Sequence, residues 1–135
     1  MPRKKVIHTT TEAMMRRWAT AALRVIGKTD SAVEVHLLSD KRMREMEFAT
    51  MGFVKPVVDV LSFPQPAGFP SPETRRGKRF LGEIYINAGL KKDIARVRHL
   101  VIHGLLHLCG YTHETDRDTI RMQREENRIL AAMRG

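Results

Sequence analysis

The chain has 135 residues, with 24 lysines and arginines against 15 aspartates and glutamates, a formal charge of +9 and a single cysteine. That length suits one domain, residues 1–135, with a proper core. One cysteine excludes an internal disulfide and any zinc site built on several thiolates. No run of 18 apolar residues offers a membrane span, and the charged start at Met1–Val6 has no apolar stretch behind it to make a signal peptide. A reducing cytoplasm is the expected setting, and the positive excess favours polyanionic partners through counterion release.

In chain order, Val6 to Thr9 reads as a short edge strand. From Thr11 to Ile26, apolar residues recur at Met14, Trp18, Ala21 or Ala22 and Val25, which is helical spacing. Thr10 or Thr11 is placed to cap its start, and Gly27 follows its end. Ala32 to Leu38 alternates Val33, Val35 and Leu37 with Glu34 and His36, a half-buried strand with His36 on the polar side. Asp40 opens a short helix to about Phe48, whose Met43 and Met46 suit core filling. Val57 to Phe63 is a second strand, ended by Pro64. The Pro- and Gly-rich stretch from Pro64 to Arg79 reads as a mobile loop, and its basic cluster, Arg75, Arg76, Lys78 and Arg79, is a candidate contact to an RNA backbone. Phe80 to Asn87 is a third strand. An apolar helix runs from Lys92 or Asp93 through Leu108, and an amphipathic one from Asp116 to Met133 carries Ile120, Ile129, Leu130 and Met133 on its apolar face. Helix, strands and then helices imply an α+β fold, a small mixed sheet packed with helices.

The chemistry concentrates in His103-Gly-Leu-Leu-His107-Leu-Cys-Gly110-Tyr-Thr-His113. His103 and His107 are four apart and project from one helix face. Gly110 is the residue type that ends a helix in a left-handed turn, which brings His113 round to the other two. Three imidazoles converging on one point suit a metal ion, zinc first, with an open fourth position for water. Nickel or iron also bind three imidazoles. His99, one turn before His103, falls either behind these ligands or in the core, and Cys109 reads as a small buried hydrophobe. The spacing is that of the metzincin metalloproteases, except that the glutamate those enzymes use as general base is replaced by Gly104. Glu114 and Asp116 are the nearest acids in sequence and the candidates for that role. They equally suit the first turn of a helix, where the dipole favours acids.

The same stretch, His103 to His113, resembles the signature of the YbeY family of bacterial endoribonucleases. Asp59-Val-Leu-Ser-Phe-Pro64, Leu81-Gly-Glu-Ile-Tyr-Ile86 and His113-Glu-Thr-Asp116 extend the resemblance from about Ser39 to the C-terminus. It implies a zincin-like α+β domain holding one zinc ion on His103, His107 and His113. It also implies a single-strand-specific, zinc-dependent endoribonuclease that matures ribosomal RNA, notably the 3′ end of the small-subunit RNA, and acts in ribosome quality control. Its partners would be single-stranded RNA, ribosomal RNA and the ribosome, with no DNA and no membrane. Two positions depart from the family pattern. Thr112 stands where an aspartate usually precedes the last histidine, and Met51-Gly52 stands where an arginine usually precedes the Asp-Val-Leu-Ser-Phe-Pro strand. Arg44 and Lys55 are the cations nearest that second slot. The competing readings are a metal-dependent hydrolase of another substrate and a non-catalytic, zinc-containing ribosome- or RNA-binding factor.

Overall fold

The computed structural model describes residues 8–66 and 77–133. Helix α1 spans Glu12–Val25. Thr11 caps it, its hydroxyl accepting the Met14 N–H at 3.2 Å, and the helix buries Met15, Ala19, Ala22 and Leu23 on one face. Strand β1 (Ser31–Leu38) leads to α2 (Asp40–Met51), which Ser39 caps and Gly52 closes at φ 78°. Strands β2 (Val60–Pro64) and β3 (Arg79–Asn87) follow, then a 3-10 turn over Ala88–Leu90, α3 (Ile94–Leu108) and α4 (Asp116–Met133). The sheet order is β1-β3-β2, with β3 parallel to β1 and antiparallel to β2. This is the α+β fold expected from the sequence, and among the described residues β2 is an edge strand.

Helix α3 is the centre of the packing. It lies against β2 and β3 on one side and touches both α1 and α4. Val97, Val101, Ile102, Leu105 and Leu106 are fully buried, which is why its sequence is apolar nearly all round. Two glycines set its height above the sheet. At Gly104 a Cβ would come within 2.9 Å of Ile84 Cγ2, so the helix sits closer to β3 than a side chain there would permit unless Ile84 shifts. At Gly82 (φ 145°) a Cβ would fall 2.2 Å from the Phe63 carbonyl oxygen, so glycine is what lets β2 pair there. Asn87 joins three elements where β3 ends. Its Nδ2 donates to Asp40 Oδ1 at 2.9 Å and to the Val58 carbonyl at 3.1 Å, and its Oδ1 accepts the Gly89 N–H at 2.8 Å.

Several sequence expectations need correction. His8 and Thr9 are not in a strand, and Val6 and Ile7 lie outside the described residues. Helix α2 runs to Met51 rather than Phe48, because no breaker intervenes before Gly52. Strand β2 starts at Val60 rather than Val57: residues 55 and 56 are drawn back onto α2 by Arg44, which donates to the Lys55 and Pro56 carbonyls. Ile120 lies on the exposed side of α4, whose buried positions are Met122, Glu126 and Ile129. No helix among the described residues is long and apolar enough to cross a membrane.

Candidate metal centre

His103 and His107 project from α3 one turn apart, their rings edge to face with centroids 4.6 Å apart. Helix α3 then ends in a Schellman turn: Tyr111 N–H reaches the Leu106 carbonyl at 3.0 Å, Gly110 N–H reaches that of His107 at 3.0 Å, and Gly110 takes φ 99°. The turn returns His113 to the pair, stacked on His103 at 5.8 Å and edge-on to His107 at 4.9 Å. One ligand nitrogen from each of the three lies within 4.8 Å of the others.

The atoms behind the rings decide where their protons sit. His107 Nδ1 donates to the Tyr111 carbonyl at 2.9 Å, an acceptor supplied by the same turn. His103 Nδ1 donates to Glu126 Oε1 at 2.9 Å, and the other oxygen of that carboxylate meets His99 Nε2. With both Nδ1 atoms as donors, both Nε2 atoms present lone pairs, and these face each other 3.0 Å apart. A proton between them would make one ring a cation. Burial, then the neighbouring His103, holds the His107 pKa below its ordinary value, which disfavours the cation on that ring. A divalent cation held by these nitrogens would accept both lone pairs at once and so relieve their opposition. The donor set therefore fits a metal ion. Burial works to raise the Glu126 pKa, but its bonds to His103 and His99 prevail and the net shift is downward, so the group is an anion at neutral pH.

The histidines open into a cleft of about 600 Å³ between α3, β2 and the segment leading into β2. Its other polar lining includes Lys55, Arg96, His99 and Glu47. Glu47 is buried and accepts the Lys55 backbone N–H at 3.0 Å, with Lys55 Nζ 3.7 Å away, while Arg96 is paired with Asp59. Glu114 and Asp116 are exposed and line no part of this cleft; Asp116 takes the first turn of α4. Of the basic cluster, Arg75 and Arg76 lie outside the described residues. Lys78 lines a separate recess beside α1, and Arg79 opens β3 opposite Ser31, so neither is brought to the histidines. Cys109 caps α3 half-buried, and burial pushes its thiol pKa up.

Glu126 is the site residue that sequence reasoning missed. Its signal was present: it falls at helical spacing between Met122 and Ile129, a carboxylate on the core face of an amphipathic helix.

The sequence profile of the family described as Endoribonuclease YbeY matches residues 2–134. The chain belongs to this family. An endoribonuclease YbeY of Nitrobacter hamburgensis is 37% identical over 115 residues, 77% of this chain, and the match spans 59% of that relative's length. Proteins of the same name from Alkalilimnicola ehrlichii and Aquifex aeolicus are 35% and 30% identical over 134 and 129 residues. Those matches span 90% and 88% of this chain, and 77% and 81% of the relatives.

Both departures from the YbeY pattern have local explanations. Thr112 Oγ1 donates to Asp118 Oδ2 at 3.2 Å and so tethers the His113 turn to the first turn of α4. Gly52 is the left-handed end of α2, and Lys55, three residues on, lines the cleft together with Arg96. Arg44 is committed to Asp40 and to the carbonyls of Lys55 and Pro56.

Proposed function

We propose that this YbeY-family chain is a zinc-dependent endoribonuclease specific for single strands. It acts in the cytoplasm on ribosomal RNA, the 3′ end of the small-subunit RNA in particular, with a further role in ribosome quality control. The observation that carries the reading is the convergence of the His103 and His107 Nε2 atoms with His113 in an open cleft, their proton positions set by Glu126 and Tyr111. His103, His107 and His113 would hold the ion. When bound, it supplies Lewis acidity at a phosphoryl oxygen and lowers the pKa of water to about 7.

The chain's own residues supply the rest. Glu126 and the Tyr111 carbonyl orient the rings of His103 and His107 and fix the neutral tautomer that carries its proton on Nδ1 and its lone pair on Nε2. Lys55, on the cleft wall, meets the charge of a phosphodiester without being fully neutralised, because its carboxylate neighbour Glu47 is shared with its own backbone N–H. His99, backed by the Glu126 carboxylate and half-exposed to the cleft, is in place to hold or move a proton at its ring nitrogens. The peptidase alternative loses its base for a structural reason as well: position 104 faces Ile84 in the sheet, so a glutamate there would enter the core.

The test is cleavage of a defined single-stranded RNA by the wild type and by His113→Ala, purified in parallel. The expected outcome is metal-dependent cleavage by the wild type alone. Equal cleavage by both would remove the site from the reaction.

A further inference from the structure

The ten residues from Phe48 to Val57 hold most of the exposed large apolar side chains of the described chain. Phe48 is 61% exposed, Met51 55%, Phe53 51% and Val57 67%. A small protein rarely leaves such a group in water without a use for it. Phe48 and Met51 continue the face of α2 that carries Arg44, at spacings of four and three residues. Arg44 Nη2 donates to the Pro56 carbonyl at 2.7 Å and the buried Glu47 accepts the Lys55 N–H, so the returning segment is pinned beside that face. Lys55 and Val57 are in turn part of the cleft wall shared with His103, His107 and His113. The apolar stretch therefore adjoins the histidine cleft through Glu47, Lys55 and Val57, as a rim to it.

We infer that this rim is a stacking platform for the unpaired bases of single-stranded RNA, with Phe48 and Phe53 as the rings and Lys55 as the phosphate contact. The inference rests on the nuclease reading and deepens it. Single strands are held by aromatic faces interleaved with cations, because every base has a π-face and every link a charge. This rim has two exposed rings and a cation, in a chain whose formal charge is +9. From Asp40 to Val57 there are four cations, Lys41, Arg42, Arg44 and Lys55, against three acids, Asp40, Glu45 and Glu47. The net sign is positive, which suits a polyanion. An internal phosphodiester presented to the histidines also leaves nucleotides running on beyond the cleft, and the rim is the surface continuous with it.

The test is anisotropy of a labelled single-stranded 2′-O-methyl oligoribonucleotide, so that binding is read apart from cleavage. The proteins compared are the metal-loaded wild type, Phe48→Ala, Phe53→Ala and Lys55→Ala. Each ring removed should weaken binding about fivefold or more with an unchanged salt slope. Lys55→Ala should flatten the slope of log affinity against log salt by about 0.7. Both ring variants are surface changes, and melting temperatures equal to wild type would confirm that they fold. Ring variants that bind like the wild type, or a wild type that does not bind at all, overturn the platform. So does a concentration-dependent dimer that Phe48→Glu dissociates, since the rim would then be a contact between copies. Cleavage of unmodified RNA, measured alongside, separates the two readings. Cleavage without ring-dependent binding removes the platform alone, and ring-dependent binding without cleavage removes the nuclease alone.

Discussion

A carboxylate taken out of water costs several kcal/mol unless its charge is met. Glu126 is only 4% exposed and is met twice, by His103 Nδ1 and by His99 Nε2. The anion fixes the tautomer and rotation of the His103 ring, and under the proposed function it would make Nε2 of that ring a stronger electron-pair donor to a metal. Glu126→Gln keeps the size and an acceptor oxygen but removes the charge. Metal affinity, read by competition with a chromogenic chelator, is expected to fall about 10- to 100-fold, while the metal-free protein keeps its melting temperature. Unchanged affinity would mean that Glu126 merely fills space. His107 needs no such group, because its Nδ1 partner is the Tyr111 carbonyl that the Schellman turn delivers.

At the scale of elements, two glycines govern how α3 is held over the sheet, and they differ in kind. An added methyl at 104 meets the tip of one isoleucine branch, and alanine's higher helix propensity offsets part of that clash by about 1 kcal/mol. An added methyl at 82 meets backbone, at a φ of 145° that alanine resists. Urea unfolding should therefore find Gly82→Ala destabilised by well over the 1–3 kcal/mol typical of overpacking, and Gly104→Ala by less. The reverse order would place the tight contact of α3 elsewhere. The helices were legible in the sequence because capping side chains and apolar periodicity act locally: Thr11, Ser39 and Asp93 each accept a backbone N–H in the first turn they precede. The start of β2 was not, because Arg44 holds residues 55 and 56 on α2 through contacts that no local pattern encodes. The three histidines announced themselves by spacing. The spacing of Glu126 marked a carboxylate on a core face but not its role, because its partners lie on another helix, 23 and 27 residues away.

For the whole molecule, the question is whether the metal makes the fold or only uses it. The core joins Met15 and Ala22 of α1, Val35 of β1, Ile84 and Ile86 of β3, Leu105 of α3 and Ile129 of α4, and it includes none of the three histidines. The candidate ligands come from the flank of one buried helix and the turn after it, and α4 is anchored by Met122 and Ile129 independently of them. An ion at such a site adds stability by mass action, about 2.7 kcal/mol at a hundredfold excess over its dissociation constant. In a domain of this size that amounts to a rise in melting temperature of roughly 10 °C. Stripping the protein with a chelator should therefore lower the melting temperature by about that amount and leave the far-ultraviolet circular dichroism unchanged at 25 °C. Restoring zinc should return both the melting temperature and cleavage. If chelation instead unfolds the chain, the ion is a structural strut, and the non-catalytic RNA-binding reading displaces the nuclease. A folded apoprotein is what the closed core predicts, and its inactivity and rescue by zinc are what the proposed function predicts.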